Sequence, residues 1–288
     1  SSRRQIVLLT ADDYALTEGV SLAIEDLAAR RLLSAAGAMV TGPHWLRHAR
    51  RLGGLRDRIA VGLHLNLTLG APLGPMPRLA PGGRLPTIGT LTLTALARRL
   101  ERGEIEAETS RQLDTFEAMV GAPPDFVDGH QHAHALPLVR DAVIAAIGRR
   151  AWQHRPLLRD PGGGSAGAAM RGGVKAVTLA WLTAGFGRCA VQAGLIVNDS
   201  FAGVTDFRPE TAAAEIAASL KPAGRLHIAM CHPGFADAEL AAIDPVTMRR
   251  RMEYDALLAL DGLEHRIWHP QRMVDAAPVD WQGELVGA

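Results

Sequence analysis

The sequence predicts an α/β protein that folds as one (β/α) barrel. Short apolar runs alternate with amphipathic segments along the chain, a pattern typical of strands and helices in turn. The chain has 288 residues, a length at which such barrels form single units, and 48% of them are hydrophobic. Polar clusters also stand where several predicted strands end, and the active-site rim of a barrel is built from such strand ends.

Composition narrows the classes of function. The 31 basic and 30 acidic residues nearly cancel, and no basic stripe interrupts the sequence. Nucleic acid and anionic membranes are therefore poor partners for this chain. Two cysteines make a disulfide framework improbable and favour a reducing compartment. Without a signal peptide or an apolar run that could span a bilayer, we expect a soluble, cytoplasmic protein with no stable membrane insertion.

Six apolar, β-branched runs are the predicted strands. Each is short, and turn-forming or polar residues follow it. They cover residues 5–10, 36–41, 59–68, 125–130, 195–198 and 226–231. A further strand is predicted near residues 174–178.

Four segments repeat apolar residues at helical spacing and are predicted helices. Thr17 is the expected N-cap of the first, and Pro137 opens the third at a first-turn position. Gly121 ends the second, and the Asp244-Pro245 pair precedes the fourth. The helices cover residues 17–31, 104–120, 137–149 and 245–260.

Two stretches are predicted loop insertions. Residues 70–90 are rich in proline and glycine, and residues 160–173 are rich in glycine. The second stretch lacks the Gly-Lys-Ser/Thr ending and the preceding strand of a phosphate-binding P-loop. No repeat or composition shift divides the chain, so we expect one catalytic domain over residues 1–288.

Two adjacent aspartates follow the first strand, in the stretch IVLLTADDYAL. A turn with a helix cap would explain Asp12 and Asp13 without any function. However, Thr17 is the expected cap, with Glu18 in the first turn, so neither aspartate is needed there. Adjacent residues of a strand point in opposite directions, so both can serve one site only if the pair lies in a turn.

The second cluster is Asp128-Gly129-His130-Gln131-His132-Ala133-His134. In an extended segment, Asp128, His130, His132 and His134 share one face, with successive side chains roughly 6.5–7 Å apart. Ligand atoms lie about 2 Å from a metal, so these side chains cannot all bind one ion. We expect one histidine to bind metal and the others to surround the ion or contact substrate.

The third cluster lies in the strand VGLHLNLT. His64, Asn66 and Thr68 share the face opposite the leucines, and in a barrel that face points inward. Buried polar groups need a partner. His64 is therefore either a metal ligand or a hydrogen-bonded core histidine, and the residues alone leave both readings open.

These clusters lie at or near the ends of separate predicted strands, which meet on one face of a barrel. One aspartate with His64 and His130 would form a three-ligand divalent site with space for water. The other aspartate would then act as the base for that water.

Four motifs, ADDYAL, VGLHLNLTLG, DGHQHAHALP and CHPG, resemble in the same order those of the YdjC family of carbohydrate deacetylases. That family includes chitooligosaccharide deacetylases and the hopanoid-associated HpnK group. The resemblance extends from about residue 5 to residue 270. It implies a distorted (β/α) barrel related to the NodB-type polysaccharide deacetylases, a divalent metal, and removal of an N-acetyl group from an amino sugar.

The resemblance implies a role for each matching residue. Asp12 corresponds to the catalytic base, Asp13 to the metal carboxylate, and His64 and His130 to the metal histidines. His232, in CHPG, is a plausible general acid for the leaving amine. A further set is expected to bind substrate or to surround the metal: Tyr14, Asn66, Asp128, His132, His134 and Arg155. Tyr14 replaces a common phenylalanine. The family's arginine segment matches Arg155–Arg159 with altered spacing, which leaves open whether Arg155, Arg159 or neither contacts substrate.

We therefore expect a metal-dependent carbohydrate N-deacetylase with one divalent ion per chain. Zinc fits an Asp-His-His set best, with cobalt, nickel or magnesium as alternatives. The expected partner is a small N-acetylated sugar or glycoconjugate, and a homodimer is one option for the assembly. Two other functions stay open: a metallohydrolase of the phosphoesterase type, and a sugar-binding barrel without catalysis.

Overall fold

Eight strands form one sheet within the part of the chain that the computed structural model describes, residues 5–163, 173–244 and 247–286. All neighbouring pairs are parallel, in the order β6-β5-β4-β3-β2-β1-β8-β7. The strands are β1 (Ile6–Tyr14), β2 (Ala35–Ala38), β3 (Ala60–Leu65), β4 (Phe126–Gly129), β5 (Leu157–Leu158), β6 (Ile196–Val197), β7 (Ser200–Ala202) and β8 (Leu226–Cys231).

The two edge strands, β6 and β7, are consecutive in the chain and are separated by only Asn198 and Asp199. One short stretch thus pairs with β5 on one side and with β8 on the other. The Asn198 side chain bonds the backbone of Asp160 and Ser200, which holds this change of partner in place. The predicted distorted (β/α) barrel is confirmed, and the distortion lies where this stretch joins the two edges.

Helices surround the sheet and follow most strands. Those in the described ranges are α1 (Glu18–Ala29), α2 (Trp45–Gly53), α3 (Ile88–Leu96), α4 (Arg102–Val120), α5 (Val139–Gly148), α6 (Gly173–Leu182), α7 (Phe186–Gln192), α8 (Ala212–Ser219), α9 (Ala238–Ile243), α10 (Thr247–Ala259), α11 (Leu263–Arg266) and α12 (Trp281–Val286). Thr17 caps α1 by accepting a hydrogen bond from the Val20 amide, as the sequence predicts.

One predicted strand is wrong. Residues 174–178 lie within α6, where Val174, Val177 and Trp181 are exposed at helical spacing. Their bulky, partly β-branched side chains resemble a strand in sequence, but the three-and-four spacing is that of a helix. Part of the predicted insertion 160–173 and the predicted first-turn Pro245 lie outside the described residues.

Successive side chains of a strand point to opposite faces of the sheet, so they contribute in turn to two apolar clusters. Val7 and Leu9 of β1 belong to the large cluster between the sheet and the helices. Ile6 and Leu8 belong to a smaller cluster inside the barrel, which Trp268 and Trp281 complete. Apolar side chains therefore fill the barrel at the amino ends of the strands. The space for a site lies at their carboxyl ends.

No helix in the described ranges is both long enough and apolar enough to cross a membrane.

Candidate functional site

The inward-facing positions change from apolar to polar along each central strand. In β1, the face that carries Ile6 and Leu8 continues to Asp12, two residues at a time. In four other strands, a polar residue lies two or four positions after an inward-facing apolar residue and therefore shares its face. The pairs are Ala60 and His64, Phe126 and Asp128, Leu157 and Arg159, and Ile228 and His232. The barrel thus collects polar side chains at its carboxyl rim, as the sequence predicts.

Asp13 joins this face because the backbone departs from the regular strand. Its φ is 68°, in the left-handed region, and the pairing register of β1 with β2 shifts between Ala11 and Tyr14. Few non-glycine residues adopt that conformation, and such positions cluster at functional sites. The prediction that the aspartate pair lies in a turn after the strand is wrong, because both residues lie within β1. The irregularity of the strand, not a turn, brings both side chains to one pocket.

Asp13, His64 and His130 offer ligand atoms that lie within 4.8 Å of one another. Asp13 Oδ1 is 2.8 Å from His130 Nδ1 and 3.2 Å from His64 Nε2. The second nitrogen of His64, Nδ1, lies 2.6 Å from Asp128 Oδ1, and this contact fixes the orientation of the ring. A carboxylate behind a histidine is the usual support of a metal-binding imidazole. These three residues therefore fit a divalent cation.

Charged neighbours shift the pKa values of both His64 and Asp13. Burial alone would lower the pKa of His64, but Asp128 and Asp12 raise it to about 10. Burial alone would raise the pKa of Asp13, but His130 and Arg250 hold it well below its usual range. An imidazolium must lose its proton before it can bind a metal, so a cation that bound to His64 would displace that proton.

Asp12 is held differently from its neighbour. Arg159 contacts both of its carboxylate oxygens, Nη1 at 2.8 Å and Nη2 at 2.7 Å, in a bidentate pair. Burial would raise the pKa of Asp12, but the charges of Arg159, His64 and His232 lower it below its usual range. The carboxylate is therefore ionised at neutral pH.

A pocket of about 340 Å³ opens above these groups. Asp12, Asp13, His64, His130, His132 and His232 line its polar side. The His232 ring lies edge-on to Phe207, and its backbone amide donates to Glu253 on α10 at 2.5 Å. Its Nε2 is 3.9 Å from Asp12 Oδ2, so the two groups share one end of the pocket.

His132 and Asp128 also lie beside this group, as expected. His132 lines the pocket edge-on to Phe201, and burial holds its pKa well below the usual value, so the ring is neutral. The expected extended geometry of this segment is wrong, because residues 130–135 form a 3₁₀ turn in which Gln131 and His132 have positive φ. That turn points the three histidines in different directions instead of along one face.

Four predicted site residues lie elsewhere. Tyr14 is buried away from the pocket, and its hydroxyl donates to Glu25 and to the His48 carbonyl. The Asn66 side-chain amide hydrogen-bonds to the backbone of residues 68–69 and to the Thr41 hydroxyl. His134 is buried under the rim, with Nε2 2.8 Å from the Arg159 carbonyl oxygen. Arg155 is exposed and donates to the Ala193 carbonyl. Each of these four side chains thus hydrogen-bonds to other parts of the protein.

Two arginines reach the site: Arg159, which the sequence left as an alternative to Arg155, and Arg250, which was not predicted. Arg159 follows β5 two residues after the inward-facing Leu157, so the alternation of the strand predicts that its side chain also faces inward. Arg250 on α10 donates to Asp13 Oδ2 at 2.6 Å and contacts Asp244. It sits in the run Arg249-Arg250-Arg251, which resembles a solvated surface in sequence, so nothing there marked Arg250 as buried.

Comparison with known proteins agrees with this picture. The family model described as "YdjC-like protein" matches residues 6–261. The chain belongs to the YdjC-like family. The predicted resemblance is therefore confirmed over most of the chain.

Similar to this YdjC-like chain are two proteins named chitooligosaccharide deacetylase. That of Enterobacter sp. (strain 638) is 31% identical over 153 residues, 51% of this chain and 57% of that one. That of Yersinia pestis (strain Pestoides F) is 33% identical over 142 residues, 49% and 55% of the two chains. The aligned part spans just over half the length of these relatives.

A solved structure from Enterococcus faecalis V583 has the same fold. It is described as a candidate cellobiose-phosphate cleavage protein, and it superposes with a TM-score of 0.69 over 98% of this chain and 99% of that one. Its sequence is 18% identical, so the likeness concerns the fold alone.

Proposed function

We propose that this chain is a metal-dependent hydrolase that removes the N-acetyl group from an N-acetylated amino sugar or its glycoconjugate. One observation carries the proposal: the two adjacent aspartates have different partners. Asp13 keeps Oδ1 beside two histidines and gives only Oδ2 to Arg250, whereas Arg159 holds both oxygens of Asp12 in the wall of the same pocket. The names of the two related deacetylases support the same reaction.

Asp13, His64 and His130 are the residues that would hold the ion. When bound, a divalent cation supplies Lewis acidity, which polarises the acetamide carbonyl and acidifies a water molecule. One carboxylate and two imidazoles suit zinc, cobalt or nickel, while magnesium would need more oxygen ligands. We propose zinc as the preferred ion, at one per pocket.

Asp12 is the proposed general base. Its carboxylate is ionised at neutral pH, and the Arg159 fork fixes its position in the pocket wall. A base that is already ionised and oriented can take the proton of the attacking water without rearrangement. Arg159 thus acts as a positioning residue through Asp12.

His232 is the proposed general acid. Its ring projects into the pocket from the CHPG loop, which Glu253 anchors through the His232 amide. Amide cleavage requires a proton on the departing nitrogen, and an imidazole can supply it near neutral pH. Because His232 Nε2 and Asp12 Oδ2 are 3.9 Å apart, proton uptake and proton delivery take place at one end of the pocket.

The pocket is mixed in character. Leu16, Leu69, Val204, Phe207 and Met230 line it together with the polar groups. A volume of about 340 Å³ is at the small end of the usual range of roughly 300–1,000 Å³ for ligand sites. A single N-acetylated sugar residue, with its methyl group against apolar side chains, is the substrate unit that we propose.

The phosphoesterase alternative has less support. Two-metal sites need additional carboxylates that bridge or complete the second ion. The nearest further group, Asp12 with His64 and Asp128, has both carboxylates paired with Arg159. A fixed guanidinium cation at that position disfavours a second metal ion.

Acetate release from a panel of N-acetylated mono- and oligosaccharides tests the proposal. We expect release by the zinc-loaded chain, none after metal is stripped, and recovery when zinc is restored. An inactive His232→Ala variant that still binds zinc would separate proton delivery from metal binding. If native, zinc-loaded chain releases no acetate from any sugar in the panel, the sugar-binding alternative gains and the proposed reaction fails.

A further inference from the structure

A second group of metal-binding side chains lies outside the pocket, between α1 and α2. Glu18, His44 and His48 offer ligand atoms within 4.8 Å of one another. Neither the pocket lining nor the proposed reaction involves these residues. The two histidines are four residues apart, which places them on one side of a helix start.

His48 gives the independent sign of a ligand. Its side chain is fully buried, and Nδ1 lies 3.1 Å from Glu25 Oε1. Its other nitrogen, Nε2, is buried and has no hydrogen-bond partner among the residues that the structure describes. A buried polar atom without a partner costs free energy. A ring that donates from Nδ1 to a carboxylate presents its lone pair at Nε2, which is the arrangement of a metal-binding histidine.

His44 is supported in the same way. Its Nε2 lies 2.8 Å from both carboxylate oxygens of Glu239 on α9. The carboxylate therefore orients this ring as Glu25 orients His48. Glu18, at the start of α1, supplies a carboxylate, and its present partner is the exposed Arg47, 2.7 Å away. Exposed ion pairs of this kind are weak, so a cation can compete for Glu18.

We propose that Glu18, His44 and His48 form a second, structural site for a zinc-class divalent cation. Two imidazoles and one carboxylate suit zinc, nickel or cobalt better than magnesium or calcium. The ion joins α1 to α2 and satisfies the buried nitrogen of His48. The inference is independent of the proposed deacetylase reaction, since the two sites share no ligand.

The site also adjoins the segment that carries the aspartate pair. The Tyr14 hydroxyl donates to Glu25 and to the His48 carbonyl, and Tyr14 directly follows Asp13. Fixing His48 therefore fixes the side chain next to the irregular position of β1. We expect the ion to raise the melting temperature without being required for turnover.

Equilibrium dialysis of the full chain against zinc, followed by elemental analysis, tests the proposal. We expect two zinc ions in the native chain, one in His44→Asn, and at least tenfold weaker binding of the second ion in Glu18→Gln. His130→Ala should lose only the pocket ion, and His130→Ala with His44→Asn should lose both. This arrangement assigns each ion to its own site, so a failure of one site leaves the other measurable.

His265→Asn is the matched control. His265 also lies beside a glutamate, 3.5 Å from Glu264, but it is exposed and belongs to no group of three ligands in the described ranges. It should keep two ions. Cobalt substitution in the His130→Ala chain gives a second readout, because visible ligand-field absorption should be present there and absent after His44→Asn. A native chain that binds one ion and keeps it in His44→Asn, or a His44→Asn chain that still binds two, would overturn the proposal.

Discussion

The two ends of strand β4 carry similar residues with opposite surroundings. Asp125 stands just before the strand and Asp128 within it, and both are almost completely buried. Asp125 binds the Arg272 guanidinium through both oxygens and accepts from the Val61 and Val279 amides. Asp128 instead contacts His64, a proposed metal ligand, and Arg159, which holds the proposed base Asp12.

The amino end of the strand carries contacts that stabilise the fold, whereas the carboxyl end carries contacts that orient the side chains of the pocket. At the amino end, Asp125 ties the sheet to the C-terminal segment, and Trp281 adds a hydrogen bond to its carbonyl. At the carboxyl end, Asp128 orients side chains that face an open pocket. A buried carboxylate at the first end should matter for unfolding, and one at the second end for binding and turnover.

The largest difference between the ends concerns turnover. We expect Asp12→Asn to lower acetate release by about 10²–10⁴-fold, because an amide cannot accept the proton of water. Asp125→Asn should keep the native rate per folded molecule. The measurement is kcat on the best substrate of the panel, with folded fraction determined for each variant. Equal losses in both variants would remove the distinction between the two ends.

The second prediction concerns the amino end. Asp125→Ala removes the carboxylate partner of the largely buried Arg272 and leaves it with the Arg56 and Ala277 carbonyls; breaking a buried ion pair costs about 3–5 kcal/mol. Urea unfolding should show that loss. Asp255→Ala, which removes an exposed helical ion pair with Arg251, should cost only about 0.3–0.5 kcal/mol. An Asp125→Ala chain as stable as Asp255→Ala would contradict the role of this clamp.

The third prediction concerns pH and the carboxyl end. Burial lowers the pKa of His134 to about 4, from 6.5. Between these values the unfolded chain binds a proton that the folded chain does not, so acid lowers the free energy of unfolding, by about 3 kcal/mol from this residue. His134→Gln, which can still donate to the Arg159 carbonyl, should lose less stability between pH 7 and pH 4. Parallel stability curves for the two proteins would show that His134 titrates normally.

The smallest predicted effect is that of Asp128→Asn. His64 would keep its place but lose the carboxylate behind Nδ1, and losing such a partner weakens metal binding by about 10–100-fold. Asp125→Asn, on the same strand, should leave zinc affinity unchanged. Titration of zinc against a competing chelator measures both, and equal affinities in the two variants would show that Asp128 does not support the ligand.

Much of this arrangement could be predicted from the sequence. Strand parity and the polar strand ends indicated the barrel, and the structure brings Asp12, Asp13, His64, His130 and His232 to one pocket. Roles for these residues remain proposals, and the cytoplasmic location, the single domain and the kinship with NodB-type enzymes remain predictions.

The errors have physical causes. Strand β5 has two residues, too short for a periodic signal, so the sequence did not distinguish the buried Arg159 from the exposed Arg155. The histidine segment forms a 3₁₀ turn instead of an extended strand, with positive φ angles at Gln131 and His132. Tyr14 and Asn66 are polar residues beside the site that local backbone and helix contacts occupy. Such contacts depend on tertiary packing, which a single sequence does not display.

The central claim is that neighbouring aspartates divide metal binding from proton transfer. Zinc affinity of Asp12→Asn and Asp13→Asn, measured in the His44→Asn background so that the pocket ion alone is counted, tests it most directly. We predict that Asp12→Asn binds zinc with near-native affinity and that Asp13→Asn loses the ion. If Asp12→Asn empties the pocket while Asp13→Asn retains zinc, the two roles are reversed and the account is wrong.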